Sequence, residues 1–166
     1  MQCFLPQITW LDSNNAPIKK KHTETIVETL PDGKRKNTKS LLRMKMRRSH
    51  HNTNLTCEAQ NSAESSPRST TILLWVEFAP LVTLQHTPEV IREGDTVKYK
   101  CLVSANPGDV SYHWSVDGDE QLLGGDHSVL VLPGVTRDMN NDIVKCRVGN
   151  SIGYSEETDT LHIHCE

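Results

Sequence analysis

Apolar and polar residues alternate with a period of two over most of this chain, the signature of strands with one face buried. In Val97-Lys98-Tyr99-Lys100-Cys101-Leu102-Val103, Val97, Tyr99, Cys101 and Val103 share a face, and Lys98 and Lys100 take the other. Tyr112, Trp114 and Val116 line up in the next run, and His127 to Leu132 is a short β-rich stretch closed by Pro133-Gly134. In Ile143-Val144-Lys145-Cys146-Arg147-Val148, Val144, Cys146 and Val148 point inward, and Thr160 to His164 alternates once more. Asn106-Pro107-Gly108, Asp117-Gly118, Gly124-Gly125 and Asn140-Asn141 separate these runs as turns. No segment has a long helical period.

The order is strand-Cys, strand-Trp, further strands, strand-Cys, last strand. Cys101 precedes Trp114 by 13 residues and Cys146 by 45. Two sheets roughly 10 Å apart need large fillers at their centre, and an inter-sheet disulfide with a Trp packed on it is the core of an immunoglobulin sandwich. Closing a loop of this length removes roughly 3–5 kcal/mol of unfolded-state entropy in the chain-entropy account, help that a small β domain needs.

The first half repeats the pattern less completely. Gln7 to Asp12 reads as the strand bearing Trp10, and Ser40 to Met46 alternates with Leu42, Met44 and Met46 inward. Asn54 to Asn61 carries Cys57, and Arg68 to Phe78 is expected as one long final strand. Trp10 to Cys57 is 47 residues against 32 for Trp114 to Cys146, and the surplus falls in the basic stretch Ser13 to Lys39, read as edge strands and loops. Both halves contain cysteine, three residues, then Asn-Ser, at Cys57 and at Cys146, 89 residues apart. This internal repeat is the best evidence for two domains. Pro80 cannot donate to a sheet, so residues 1–79 and 80–166 are expected to be separate units, joined by almost no linker and hence stiffly. The expected fold is all-β: two tandem immunoglobulin-like sandwiches of I-set type, the first truncated at its N-terminus.

Charge follows the same division. Up to Ala79 there are 12 Lys/Arg against 7 Asp/Glu, and from Pro80 onward 6 against 14, so each unit has its own electrostatic sign. No run of about 18 apolar residues is present to span a membrane, and Met1 to Pro6 is too short for a signal peptide. The five cysteines form no C-x-x-C pair, which speaks against a zinc ribbon or thioredoxin-type motif. The Cys101–Trp114–Cys146 context argues for an oxidising compartment.

The stretch His50-His51-Asn52-Thr53-Asn54-Leu55-Thr56-Cys57-Glu58-Ala59-Gln60-Asn61 resembles the end of the second domain of the irre cell recognition module family of adhesion receptors. Phe78-Ala79-Pro80 with Val82-Thr83-Leu84 resembles that family's junction, and Ser104 to Pro107, Tyr112 to Trp114 and Ile143 to Cys146 resemble its third domain. The resemblance covers residues 7 to 164. It implies a type I membrane protein with five extracellular immunoglobulin domains at the plasma membrane, working at cell–cell contacts and junctions. The implied partners are other immunoglobulin-superfamily adhesion proteins, homophilic or nephrin-like. In that family recognition lies mainly on the first domain, so these two units would act as spacer and scaffold, and membrane anchoring would need a segment outside this chain. Three departures stand out. Cys3 lies only 7 residues before Trp10, which leaves open whether it pairs with Cys57. A tyrosine corner would place Tyr two residues before the second Cys, where Leu55 and Val144 stand. Cys165 has no counterpart in the family.

Asn54-Leu55-Thr56 is the only N-glycosylation sequon, and alternation from Cys57 turns Asn54 outward. His162, His164 and Cys165 do not form a metal site on a strand, because Cys165 points away from both histidines, and His50 and His51 diverge in the same way. Lys19-Lys20-Lys21, Lys34-Arg35-Lys36 and Arg43 to Arg48 form basic clusters, read first as solvated edges of an ordinary domain and next as contacts for acidic glycans. They lack the interleaved aromatics of nucleic-acid readers, so no nucleic-acid partner is expected. Neither catalytic motif nor cofactor site is present in the sequence. An intracellular structural protein of I-set repeats, of the titin type, is the alternative reading. There the cysteines would stay reduced.

Overall fold

A computed structural model describes residues 7–61, 65–121 and 127–164. The chain divides into two compact units, Met1–Val76 and Glu77–Glu166. No α-helix occurs among the described residues.

The first unit contains β1 (Gln7–Leu11), β2 (Thr23–Thr29), β3 (Lys36–Leu42), β4 (Thr53–Gln60) and β5 (Arg68–Leu74). An antiparallel sheet runs β1-β4-β5, and β2 and β3 form a separate hairpin. The basic surplus stretch is therefore a hairpin with its flanking loops. Its turn is fixed by Asp32, whose carboxylate accepts from the backbone N–H groups of Lys34 and Arg35 at 3.0 Å each, with Gly33 at φ +66°.

Two sequence expectations fail in this unit. The β5 ladder ends where Leu74 meets Thr53, because Val76 N donates to the His51 ring at 3.2 Å instead. Phe78 belongs to the second unit, so Arg68 to Phe78 is not one strand. Likewise β3 stops at Leu42, and Met46 beyond it is 43% exposed rather than inward.

The second unit contains β6 (Phe78–Thr87), β7 (Ile91–Arg92), β8 (Val97–Asn106), β9 (Ser111–Val116), β10 (Asp119–Gln121), β11 (Val129–Leu132), β12 (Ile143–Gly149), β13 (Tyr154–Thr160) and β14 (Ile163–His164). One sheet runs β10-β9-β12-β13, the facing one β11-β8-β6, and β14 pairs with β7 in parallel. The Thr160–His164 run is split. Asn140 Oδ1 accepts from Ile163 N at 2.8 Å, drawing the chain off the β12 ladder towards β7.

Strand alternation assembles a closed core here. Val97, Tyr99 and Cys101 enter it from β8, Trp114 and Val116 from β9, and Val144, Cys146 and Val148 from β12. Cys101 and Cys146 are joined across the sheets by a disulfide, with their Cα atoms 6.6 Å apart. Trp114 stands directly opposite Cys146 on the neighbouring strand and is 1% exposed. Leu161 and Ile163 cap the core from the chain's return. In the first unit, Leu55 is the one hydrophobic residue that is fully buried among the described residues.

The core accounts for most of the second unit's stability, so truncations should rank by burial. Leu161→Ala, at a site of 0% exposure, is expected to cost about 2–5 kcal/mol in urea unfolding. Leu73→Ala, at 60% exposure, should stay within about 0.5 kcal/mol.

Candidate interaction surfaces

Both units place an indole against a sulfur in the same register. Trp10 stands opposite Cys57 across β1 and β4, as Trp114 stands opposite Cys146 across β9 and β12. Each indole N–H reaches over to the other sheet. Trp114 Nε1 donates to the His127 carbonyl at 2.9 Å, and Trp10 Nε1 donates to Ser40 Oγ on β3 at 3.0 Å. The sulfurs differ. Cys146 is bonded to Cys101, whereas Cys57 carries a free, half-buried thiol, and burial raises its pKa above the ordinary thiol value. Cys3 lies outside the described residues, as do Ser62 and Cys165.

The repeated Asn-Ser pair has a structural role that its spacing did not disclose. Asn150 Nδ2 donates to the Phe78 and Pro107 carbonyls at 2.9 and 3.1 Å, and Oδ1 accepts from the Ile152 and Gly153 amides. One side chain thus fastens the β12–β13 turn to the start of β6 and the end of β8. Asparagine alone among the small side chains offers two donors and an acceptor in this geometry.

The exposed face of β9, β12 and β13 holds a shallow recess of about 550 Å³. The guanidinium carbon of Arg147 lies over the Tyr154 ring, 3.8 Å from its centroid, in cation–π contact. Lys145–Glu156 and His113–Glu120 flank the stack, each at 3.7 Å. Alternation turned Arg147 outward, but Tyr154 could not be placed beside it before the β12–β13 register was known. This face offers an exposed aromatic ring and an arginine, residue types enriched in protein–protein hot spots. It has no nucleophile with an oriented base.

Asn54 is exposed on β4, beside buried Leu55. One of the three basic clusters stands apart from the other two. Lys34-Arg35-Lys36 sits at the hairpin tip, where Arg35 pairs with Asp32 at 2.6 Å, and Arg43 pairs with Glu24 at 3.4 Å. The other two clusters meet. A recess of about 600 Å³ brings Lys19 and His22 together with Lys45, Arg47 and His50 over the apolar floor of Leu55. His162 and His164 are exposed, and no group of three or more metal-ligating side chains occurs among the described residues.

Residues 5–68 match the family of CD80-like C2-set immunoglobulin domains, and residues 79–150 match an immunoglobulin domain family. The chain is 35% identical to the irregular chiasm C-roughest protein of Drosophila melanogaster over 95% of its own length and 23% of that protein's. It is 31% identical to human Kin of IRRE-like protein 1 over 82% of its length and 18% of that protein's. The chain therefore spans about a quarter or less of these relatives. The crystal structure of the full ectodomain (Ig1–Ig3) of mouse nectin-like molecule 4 superposes with a TM-score of 0.77 at 22% identity, covering 96% of this chain and 55% of that one, which shows the fold.

Replacing Asn150 tests the fastening role. Asn150→Ala is expected to destabilise the second unit by about 2–3 kcal/mol, because it leaves the partly buried Phe78 and Pro107 carbonyls without this donor. Amides of β6 should lose hydrogen-exchange protection in the same variant.

Proposed function

Because the chain belongs to the immunoglobulin superfamily and is homologous to the Roughest and Kin of IRRE-like proteins, we propose that it is part of the extracellular region of a cell-adhesion receptor at the plasma membrane. In this reading the two units are non-catalytic modules that carry and space the recognition surface of a longer protein. The observation that carries the reading is the buried Cys101–Cys146 bond packed on Trp114, a centre that needs an oxidising compartment to form. The same bond counts against the intracellular structural alternative, whose cysteines would be reduced. Partners of the immunoglobulin superfamily, homophilic or nephrin-like, fit a protein of this kind, and the Arg147–Tyr154 face is a candidate contact for them.

Secretion is the test. The chain expressed behind a secretion leader should give a Cys101–Cys146 cross-linked peptide on non-reducing mapping and lose mass at the Asn54 peptide on glycosidase treatment. Two free sulfurs at 101 and 146 in native secreted material would remove the receptor reading.

The recess formed by Lys19, His22, Lys45, Arg47 and His50 supports a second contact, with a sulfated or carboxylated glycan. Retention on immobilised heparin should persist beyond roughly 0.15 M salt, where exposed charges more than a Debye length apart are screened. The double variant Lys45→Ala, Arg47→Ala should elute earlier, while Lys98→Ala in the second unit should not.

A further inference from the structure

On the outer face of β9, β12 and β13 the guanidinium of Arg147 has neighbours of opposite charge, yet none of them pairs with it. Its direct partner on the β13 ladder is Glu156, which pairs with Lys145 at 3.7 Å. Its direct partner on the β9 ladder is His113, which lies 3.7 Å from Glu120. Among the described residues no carboxylate lies within ion-pair distance of Arg147, and the Tyr154 ring holds it in place instead. A guanidinium carries five N–H donors in a fixed fork, and a ring face supplies no oxygen to them.

Glycine keeps space open beside this pair. Gly149 stands directly opposite Tyr154 on one ladder and opposite Ser111 on the other. A Cβ at position 149 would meet Ser111 Oγ at 3.5 Å and Tyr154 Cβ at 3.7 Å, ordinary contact distances. A side chain therefore fits there, and its absence leaves a floor. The recess of about 550 Å³ beside Arg147 shares Ser111, Gly149 and Tyr154 with another of about 440 Å³, which also meets Ser151 and Gly153. Tyr154 stands between the two and is 61% exposed.

The lining selects the occupant. No aliphatic side chain lines the recess beside Arg147; hydroxyls, imidazole, ammonium and carboxylate groups surround the one exposed ring. The core of a protein–protein contact is more apolar and depleted in charge. A sugar is the converse, with hydroxyls for the polar groups and a C–H face for the ring. Charge narrows the class further. From Pro80 onward there are 14 Asp/Glu against 6 Lys/Arg, so a polyanion is repelled by this unit, while a single carboxylate seated on Arg147 is not.

We propose that this recess binds a terminal sugar bearing one carboxylate, a sialic acid or a hexuronic acid, on the glycan of a partner glycoprotein. Arg147 donates to both carboxylate oxygens, the C–H face of the sugar lies over Gly149 against Tyr154, and Ser111 Oγ meets a hydroxyl. Such glycans are met outside the cell, so the biological setting rests on the receptor reading, whereas binding itself does not. Many copies on two facing surfaces turn a weak single site into a firm contact.

The test uses the full secreted chain with its Cys101–Cys146 bond intact, so a negative result is separate from failure of the receptor reading, which the state of those two sulfurs decides. The probes are sialyllactose, a disaccharide ending in glucuronic acid, neutral lactose, and a short end-blocked peptide containing one Glu. Each is titrated while the Arg147 Nε–H and Tyr154 ring signals are followed by NMR. We expect an acidic sugar to shift both signals and to bind at least about tenfold more tightly than lactose or the peptide, the worth of a charge-assisted pair. Which of the two acids does so identifies the source. Read at the Tyr154 ring, Arg147→Ala should weaken binding by at least about tenfold, and Arg147→Lys, which keeps the charge without the fork, nearly as much. Gly149→Val should block the sugar with Arg147 still present, its β12 amides staying protected. Lys45→Ala with Arg47→Ala in the first unit should change nothing. No response to either acid, equal binding of lactose or of the peptide, or full affinity in Arg147→Ala would overturn the proposal.

Discussion

The bond between Cys101 and Cys146, with the Trp114 indole laid beside it, is the constraint from which the second unit's architecture follows. It pins β8 of one sheet to β12 of the other, and the alternation of each strand then dictates what else is inside. Tyr99 and Val97 must enter with Cys101, and Val144 and Val148 with Cys146. Leu130, Leu132, Val135 and Leu161 fill the remaining volume. Buried backbone groups need hydrogen-bond partners, and the chain's exits from the sheets are fastened by side chains, Asn150 at one place and Asn140 at another.

The first unit uses the same indole and the same cysteine position without closing that centre. Its hairpin is held to its sheet by the Trp10–Ser40 bond and by Leu55, and much of its inward surface meets solvent. The halves differ in strand number and sheet order as well as in this centre. The electrostatic contrast is separate from this. The basic surplus is concentrated on the hairpin and its loops, and the acidic surplus is spread over the second unit.

Period-two alternation around Cys101, Trp114 and Cys146 made the second core readable, because Val97, Tyr99, Val116, Val144 and Val148 follow the strand period. The two-sandwich fold and the 89-residue repeat were legible for the same reason. What escaped were features decided by side-chain hydrogen bonds at strand ends. The His51 ring ends β5, and Asn140 divides β13 from β14. Leu42-x-Met44-x-Met46 kept the strand period past the point where the ladder had stopped, so the pattern alone placed Met46 inside. The recess of Lys19 and His22 with Lys45, Arg47 and His50 joins clusters some 25 residues apart, and no local rule brings them together.

The parallel pairing of β7 with β14 gives the second unit a mechanical character. β7 lies near the start of this unit and β14 near its end, and they run side by side in the same direction, Ile91 against Ile163 and Arg92 against His164. Tension that reaches β7 past the β6–β8 ladder, and β14 from the other end, slides these strands along each other. Their hydrogen bonds are loaded together in shear instead of opening one by one like a zipper, and the tyrosine, valine and leucine side chains beneath must shift in the same event.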